Sequence, residues 1–322
     1  MLKTVIDYPI FEHFTQNQPP QIPVGSVEEN EYWNSFWRFL KEGSDVALVN
    51  LSNQQNIFLN HLTTGRKGTT LKIVEKFKKP HKCKFPKDQN IQTVFFLDEK
   101  SESDQKKYRT QNGFLFGFGN DYPEVWRRLS LQGKDKVIPV RKNAEKRLES
   151  WNRLSDYILP FTDMIIVDNY MFDETLWDYN LFKLIKEFAG KARVKFNLML
   201  VSFSRDGFGP GFESKIKQKL SDLNIACNVS IVIAPSSIKE HDRGVFTNYL
   251  RLKSGDSFVY FDKNGKLITK GTEIDFYSMA EPDKFNASRE ALKNIKHIVT
   301  EVSNRKDKAN RVFGNIVNKL IS

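Results

Sequence analysis

Apolar positions recur along the chain in two rhythms. Between Glu28 and Glu42, Tyr32, Phe36, Phe39 and Leu40 fall near one face beside Trp33 and Trp37, the spacing of an amphipathic helix. Ser26 with Glu28 and Glu29 suits its start, and Gly43 suits its stop. Runs of strand character follow at 46–50, 69–77, 91–97, 114–118 and 137–140, with a helix expected over 54–62. The lead-in, residues 1–30, is mixed and contains QNQPPQIPVGS, so it reads as an irregular arm.

A charged, helix-compatible stretch at 141–159, with Arg141, Lys142, Lys146 and Arg147, is expected to join two halves. A second alternation then begins. Met164–Val167 reads as a buried strand ending in Asp168-Asn169-Tyr170. Residues 174–189 read as a helix with Leu176, Leu181, Leu184, Ile185 and Phe188 inward. A strand at 195–202, a helix at 211–223 and a strand at 228–234 follow. A strand pair, 245–252 and 257–261, is expected around a Ser-Gly-Asp turn, and the tail from Asp283 reads as helical, broken around 306–308. Alternating strands and helices argue for an α/β chain. The division expected is a smaller α/β domain over 1–145 and a second domain over 146–322 that includes C-terminal helices.

Composition narrows the class. At 322 residues, one or two domains are natural, and 39% hydrophobic content with 26 Phe excludes global disorder. No window approaches the roughly 18 apolar residues of a membrane span. The N-terminus lacks a cationic start followed by an apolar run, so no signal peptide is expected and a cytoplasmic location is. Cys83 and Cys227 lie far apart without CxxC spacing, which argues against a disulfide framework or a zinc cluster and fits a reducing compartment. No cofactor is expected. The net charge of +11 points to a polyanionic partner, nucleic acid first and an anionic membrane surface second.

The sharpest chemical signal is the segment EHDRGVFTNYLRLKSGDSF at 240–258. His241, Arg243, Asn248, Gly255 and Ser257 stand at the spacing His-x-cation-x4-Asn-x6-Gly-x-Ser. Residues two apart on a strand share a side, so His241 and Arg243 can face one phosphate together. A guanidinium neutralises phosphoryl charge bidentately, a histidine serves as nucleophile or proton donor, and Ser257 with the amides after Gly255 adds hydrogen bonds.

This pattern resembles the His-x-Lys-x4-Asp-x6-Gly-x-Ser motif of the phospholipase D-like superfamily, with Arg243 at the Lys position and Asn248 at the Asp position. The wording HDR, TNY and SG, with the strand ending at Asp168-Asn169-Tyr170, is closest to the C-terminal phospholipase D-like domain of eukaryotic MIT-domain proteins and related bacterial chains, over roughly 150–265. The resemblance implies a mixed-sheet phospholipase D-like fold, and membrane-lipid binding without hydrolysis in the eukaryotic members. It also implies that Asn248 would orient His241 without supplying the charge of an Asp, so catalysis should suffer. An active site in this superfamily takes two motifs. His13, His61, His81 and His297 start no second copy, so activity would need a homodimer pairing two copies of His241.

Other groups are less specific. Asp168 closes a strand where α/β sheets place functional groups, and is expected to pair with Arg243 or to cap a turn. Lys76, Lys78, Lys79, Lys82, Lys84 and Lys87, interleaved with Phe77, His81 and Phe85, suit phosphate contact and base stacking, or form the wet edge of a loop. Lys293, Lys296, Arg305, Lys306, Lys308 and Arg311 read as the solvated face of terminal helices. Asp45, Asp98, Glu99 and Asp104 are the one acidic set in the first half that suggests a metal site.

The function expected is a phosphodiester-binding protein, nucleic acid foremost, of a bacterial defence or mobile-element kind. The alternatives are a dimeric, metal-independent nuclease or phosphodiesterase using His241, and an anionic membrane-surface module.

Overall fold

A computed structural model describes residues 1–19, 27–51, 73–76, 90–205, 211–238, 243–268 and 271–322, with the backbone alone at 27–30 and 73–76. The chain is α/β, with two sheets and seven α-helices among the described residues. It divides into two compact units: Met1–Gln132 with Met279–Phe285, and Gly133–Ser278 with Asn286–Ser322.

The first unit is built on five strands in the order β3-β2-β1-β4-β5, every neighbouring pair parallel. These are β1 (Leu2–Asp7), β2 (Ser44–Val49), β3 (Ile73–Lys76), β4 (Thr93–Leu97) and β5 (Leu115–Phe118). The central strand is β1, so the expected irregular arm is overturned. LKTVID is buried almost throughout, because a parallel strand with both faces covered is apolar without clean alternation. Pro9 then falls in the first turn of α1 (Tyr8–Gln16), where its missing N–H is not needed.

Successive residues of β4 serve opposite faces. Phe95 stacks on Phe116, in a layer with Val5, Ala47, Val49 and Phe118 against which Tyr108 of α3 (Glu102–Gln111) packs. Phe96 meets Phe36 of α2 (Val27–Arg38) edge to face at 5.4 Å, in an aromatic layer with Phe14 and Tyr122. The helix α4 (Tyr122–Leu129) buries Tyr122, Val125, Trp126 and Leu129 in a helical stripe; it and α3 lie between the strands expected at 91–97, 114–118 and 137–140, where no helix is expected from the sequence.

The second unit carries eight strands in the order β13-β9-β8-β7-β10-β11-β12-β6. Three are parallel: β7 (Asp163–Val167), β8 (Phe196–Phe203) and β9 (Cys227–Ala234), linked by α5 (Lys183–Ala192) and α6 (Phe212–Asp222). On the other side of β7, β10 (Arg243–Thr247), β11 (Leu250–Ser254), β12 (Thr272–Ser278) and β6 (Val137–Val140) run antiparallel in turn. One face is covered by α7 (Pro282–Ser303), whose Leu292, Ile295, Val299 and Val302 pack on Ile165, Val201 and Val232. No helix among the described residues is long and apolar enough to cross a membrane.

Four expectations change here. The strand at 137–140, assigned to the first half, pairs with β12 and belongs to the second sheet, because its partner lies about 135 residues away, beyond the reach of local pattern. Residues 141–159 are not helical; they form turns around a short 3-10 segment at Trp151–Leu154. The hairpin turns at Asn248-Tyr249, not at Ser-Gly-Asp, and 257–261 is buried but carries no strand. The tail is helical only to Ser303; a 3-10 turn and the short strand β13 (Val312–Phe313), antiparallel to β9, follow.

Candidate phosphate-binding site

The carboxyl end of β7 is where the sheet changes sense: parallel β8 lies on one side and antiparallel β10 on the other. In open α/β sheets ligand sites gather at such carboxyl ends. Because β10 runs against β7, and β11 against β10, the start of β10 and the end of β11 meet at this point, with Arg243 opposite Ser254. Asp168, Arg243, Gly255, Asp256 and Ser257 are thereby brought together.

Asp168 is the hub. It is fully buried and its Oδ1 accepts the Ser257 hydroxyl at 2.8 Å and the Tyr170 amide at 2.7 Å. Its Oδ2 accepts the Phe258 amide at 2.6 Å. Burial pushes its carboxyl above the usual carboxylate range, against the pull of the amides of Tyr170 and Phe258, the Ser257 hydroxyl and the nearby Arg243 cation. It therefore caps a turn and feels Arg243 at once.

Arg243 donates from Nη1 to the Gly255 carbonyl at 3.1 Å and approaches Asp256 at 3.9 Å. Its Nε is buried and has no hydrogen-bond partner among the described residues. The guanidinium is aimed by the turn while one donor is left unused. Behind it, the Tyr260 hydroxyl donates to Ser254 Oγ at 2.5 Å, and the Asp256 amide donates to the same oxygen at 3.2 Å. Burial pushes the Tyr260 phenol well above its ordinary range.

Asn248 does not join this group. It lies past the far end of β10, roughly 16 Å from Arg243 at about 3.3 Å per strand residue. It is fully buried; its Oδ1 accepts the amides of Thr162 at 3.1 Å and Asp163 at 3.3 Å, and its Nδ2 donates to Thr162 Oγ1 at 3.2 Å. Asn248 is a tie between the hairpin and the start of β7. Asn248→Asp is accordingly expected to leave the arrangement of Arg243, Asp168 and Ser257 unchanged and to confer no phosphodiester hydrolysis. It should lower stability by about 1–3 kcal/mol, because it places a second buried carboxylate beside Asp163. A gain in hydrolysis, measured beside the melting temperature, would contradict this placement.

The remaining expectations divide between described and undescribed residues. His241 lies outside the described residues, as do Lys78, Lys79, Lys82, Lys84 and Lys87. Lys76 ends β3. The acidic set does not assemble: Asp45 lies at the amino end of β2, whereas Asp98 and Glu99 follow the carboxyl end of β4, and Asp104 sits in the first turn of α3 with its amide capped by Ser101. The Asp98 amide instead binds Asp7 at the end of β1. No group of three metal-ligating side chains occurs among the described residues. Arg311 is buried, not on a wet face.

Sequence reasoning passed over three contributors: Ser254, Tyr260 and Asn180. Asn180 sits in a wide helical turn, Asp178–Phe182, and its amide binds the backbone of 260–261. No local signal marks it, because its partners are about 80 residues away.

No protein-family model matches the chain, and neither does any curated protein. Among solved structures it is similar to the crystal structure of a phosphatidylserine synthase from Haemophilus influenzae Rd KW20, at 10% identity and a TM-score of 0.28, over 46% of this chain and 34% of that one. The matched part thus spans about a third of that protein's length.

Proposed function

We propose that the second unit is a phosphodiester-binding module of the phospholipase D-like type, that its natural ligand is nucleic acid, and that it binds without efficient hydrolysis. The observation that carries the reading is Arg243: a guanidinium aimed by the Gly255 carbonyl, with a buried Nε–H that has no partner among the described residues, beside the turn at Gly255–Ser257. Buried donors are nearly always satisfied, so an open one on a fixed cation suits an anionic oxygen. The spacing from Arg243 to Ser257 and the net charge of +11 support the same reading.

The test is binding of a fluorescent oligonucleotide as a function of salt. Arg243→Ala should weaken binding at least tenfold and reduce the salt slope by about one. An unchanged affinity would remove the basis of the proposal. Cleavage of DNA or RNA in the presence of EDTA, abolished in His241→Ala, would replace binding with the nuclease reading.

A further inference from the structure

The second sheet has two edges, and the chain treats them differently. At one, β6, Pro139 has no amide to offer and its carbonyl accepts the Leu148 amide at 2.9 Å. Such devices blunt an edge against further strands. At the other, β13 covers only part of β9: the Ile233 amide donates to the Arg311 carbonyl at 2.7 Å, and Val312 and Phe313 pair with Val232 and Ile231. Backbone groups alternate in direction along a strand. Those of Ala226 and Ala234 face β8, so those of Ile233, Ile231, Val229 and Cys227 face outward. The next rung would join Val229 to Asn315, and it is not formed. Gly314, at φ +74°, turns the chain away, and a Cβ there would meet the Val229 carbonyl at 2.4 Å. Among the described residues nothing bonds the Val229 amide or the outward amide and carbonyl of Cys227.

A cleft of about 690 Å³ opens along this unpaired stretch. Its walls include Leu220 and Ile225, at and after the end of α6, and Val317, which stays 48% exposed while its neighbours Ile316 and Leu320 pack on the core. Open backbone donors and an acceptor at strand spacing, beside apolar side chains, suit a polypeptide in extended form. A phosphate has no donor for the Cys227 carbonyl and no apolar group for Val317. Lys217 is the one charged residue lining the cleft among the described residues, and its exposed pair with Glu213 at 2.6 Å holds it weakly. Exposed Lys195 directly precedes Phe196, the residue of β8 that pairs with Cys227. An incoming strand therefore meets cations. Two copies of this chain joined edge to edge about a two-fold axis would set these lysines against one another. We propose that the amino half of β9 binds an acidic, extended peptide of another protein, which adds a strand to the second sheet and seats an apolar side chain against Val317. This surface lies at the opposite end of the parallel strands from Arg243 and does not depend on the phosphodiester reading.

Capped fluorescent peptides of about seven residues, a strand's length, are titrated into the full chain: alternating valine and glutamate, alternating valine and lysine, and the glutamate peptide with every amide N-methylated. The glutamate peptide should bind about tenfold tighter than either of the others. Val229→Pro removes the outward amide without breaking a bond to β8 and should weaken binding about tenfold. Val317→Glu, at an exposed position, should weaken it to a similar degree, about tenfold, through like charge and leave the melting temperature unchanged. If Val229→Pro does not fold, Val317→Glu and the methylated peptide decide. Hydrogen exchange at the Cys227 and Val229 amides should slow on binding, and Arg243→Ala should bind the peptide as wild type does. Failure of the glutamate peptide to bind overturns the proposal, as does equal binding of the methylated peptide or equal binding by Val317→Glu. Loss of peptide binding in Arg243→Ala would place the carboxylates at the phosphate site, and a wild-type dimer that Val229→Pro turns into a monomer would give the edge to a second copy; either result also overturns it.

Discussion

Asn180→Ala is expected to destabilise the second unit by about 4 kcal/mol and to disrupt the candidate phosphate site with it. The Asn180 side chain is buried and makes four hydrogen bonds. Its Nδ2 donates to the carbonyls of Leu176 and Phe261, both at 2.8 Å, and its Oδ1 accepts the amides of Tyr260 at 2.8 Å and Phe261 at 2.9 Å. Residues 260–261 belong to neither sheet; on one side they bridge to 267–268, with the Ile268 amide donating to the Tyr260 carbonyl at 2.7 Å, and on the other the Asn180 amide takes the place of a neighbouring strand. Alanine leaves buried backbone groups unsatisfied, each costing about 1 kcal/mol or more. At about 2–4 °C per kcal/mol for a domain of this size, the melting temperature should fall by roughly 8–16 °C. Since Ser257 and Tyr260 hang on this segment, oligonucleotide binding should be lost in parallel. A drop of under about 1 kcal/mol in urea unfolding would show that the segment is held by its aromatic packing, Trp151 on Tyr260 and Phe261, and not by Asn180.

Arg311→Met should cost about 3 kcal/mol. Arg311 is 3% exposed, and its guanidinium binds the carbonyls of Ser204 at 3.2 Å, Arg205 at 2.7 Å and Ile233 at 3.3 Å, closing off the ends of β8 and β9. Its Nε donates to Asp307 at 2.6 Å. Arg305 and Arg311 together hold the Asp307 carboxyl down at about 2. A depressed carboxylate contributes stability above its unfolded range and loses it as the pH falls through about 2, so the clamp is intact throughout neutral and mildly acidic conditions. Methionine keeps the stem's apolar contact but offers no donor to three carbonyls. Chemical denaturation of Arg311→Met, with Arg311→Lys retaining a partial effect, measures the contribution. Equal stability of Met and wild type would assign the clamp no role.

The parallel half of the second sheet was legible because its signals are local. The runs at 164–167, 195–202 and 228–234 alternate with helices whose apolar residues repeat at helical spacing, and each was placed within a few residues of its observed bounds. The antiparallel half was less legible. FVYF at 258–261 is as apolar as a strand, yet whether its amides meet another strand or the side chain of Asn180 depends on residues far away. β1 is not legible in this way, because a central parallel strand buried on both faces lacks alternation. In the candidate site, Arg243, Gly255, Ser257 and Asp168 were all named from spacing and strand position. Asn248 was named with them and lies at the other end of β10.

An ordered set of residue types with fixed intervals is a property of the chain, and it determined that Arg243, Gly255 and Ser257 would serve one turn. It determined equally that two α/β units would form, since apolar periodicity decides which residues can be buried. Which residues then converge was decided by tertiary pairing. Antiparallel docking of β10 on β7 puts Arg243 beside Asp168, and the same docking carries Asn248 away, because five residues of extended chain span the sheet. Spacing along a strand fixes which face a side chain takes. The direction and register of its neighbours fix what it meets.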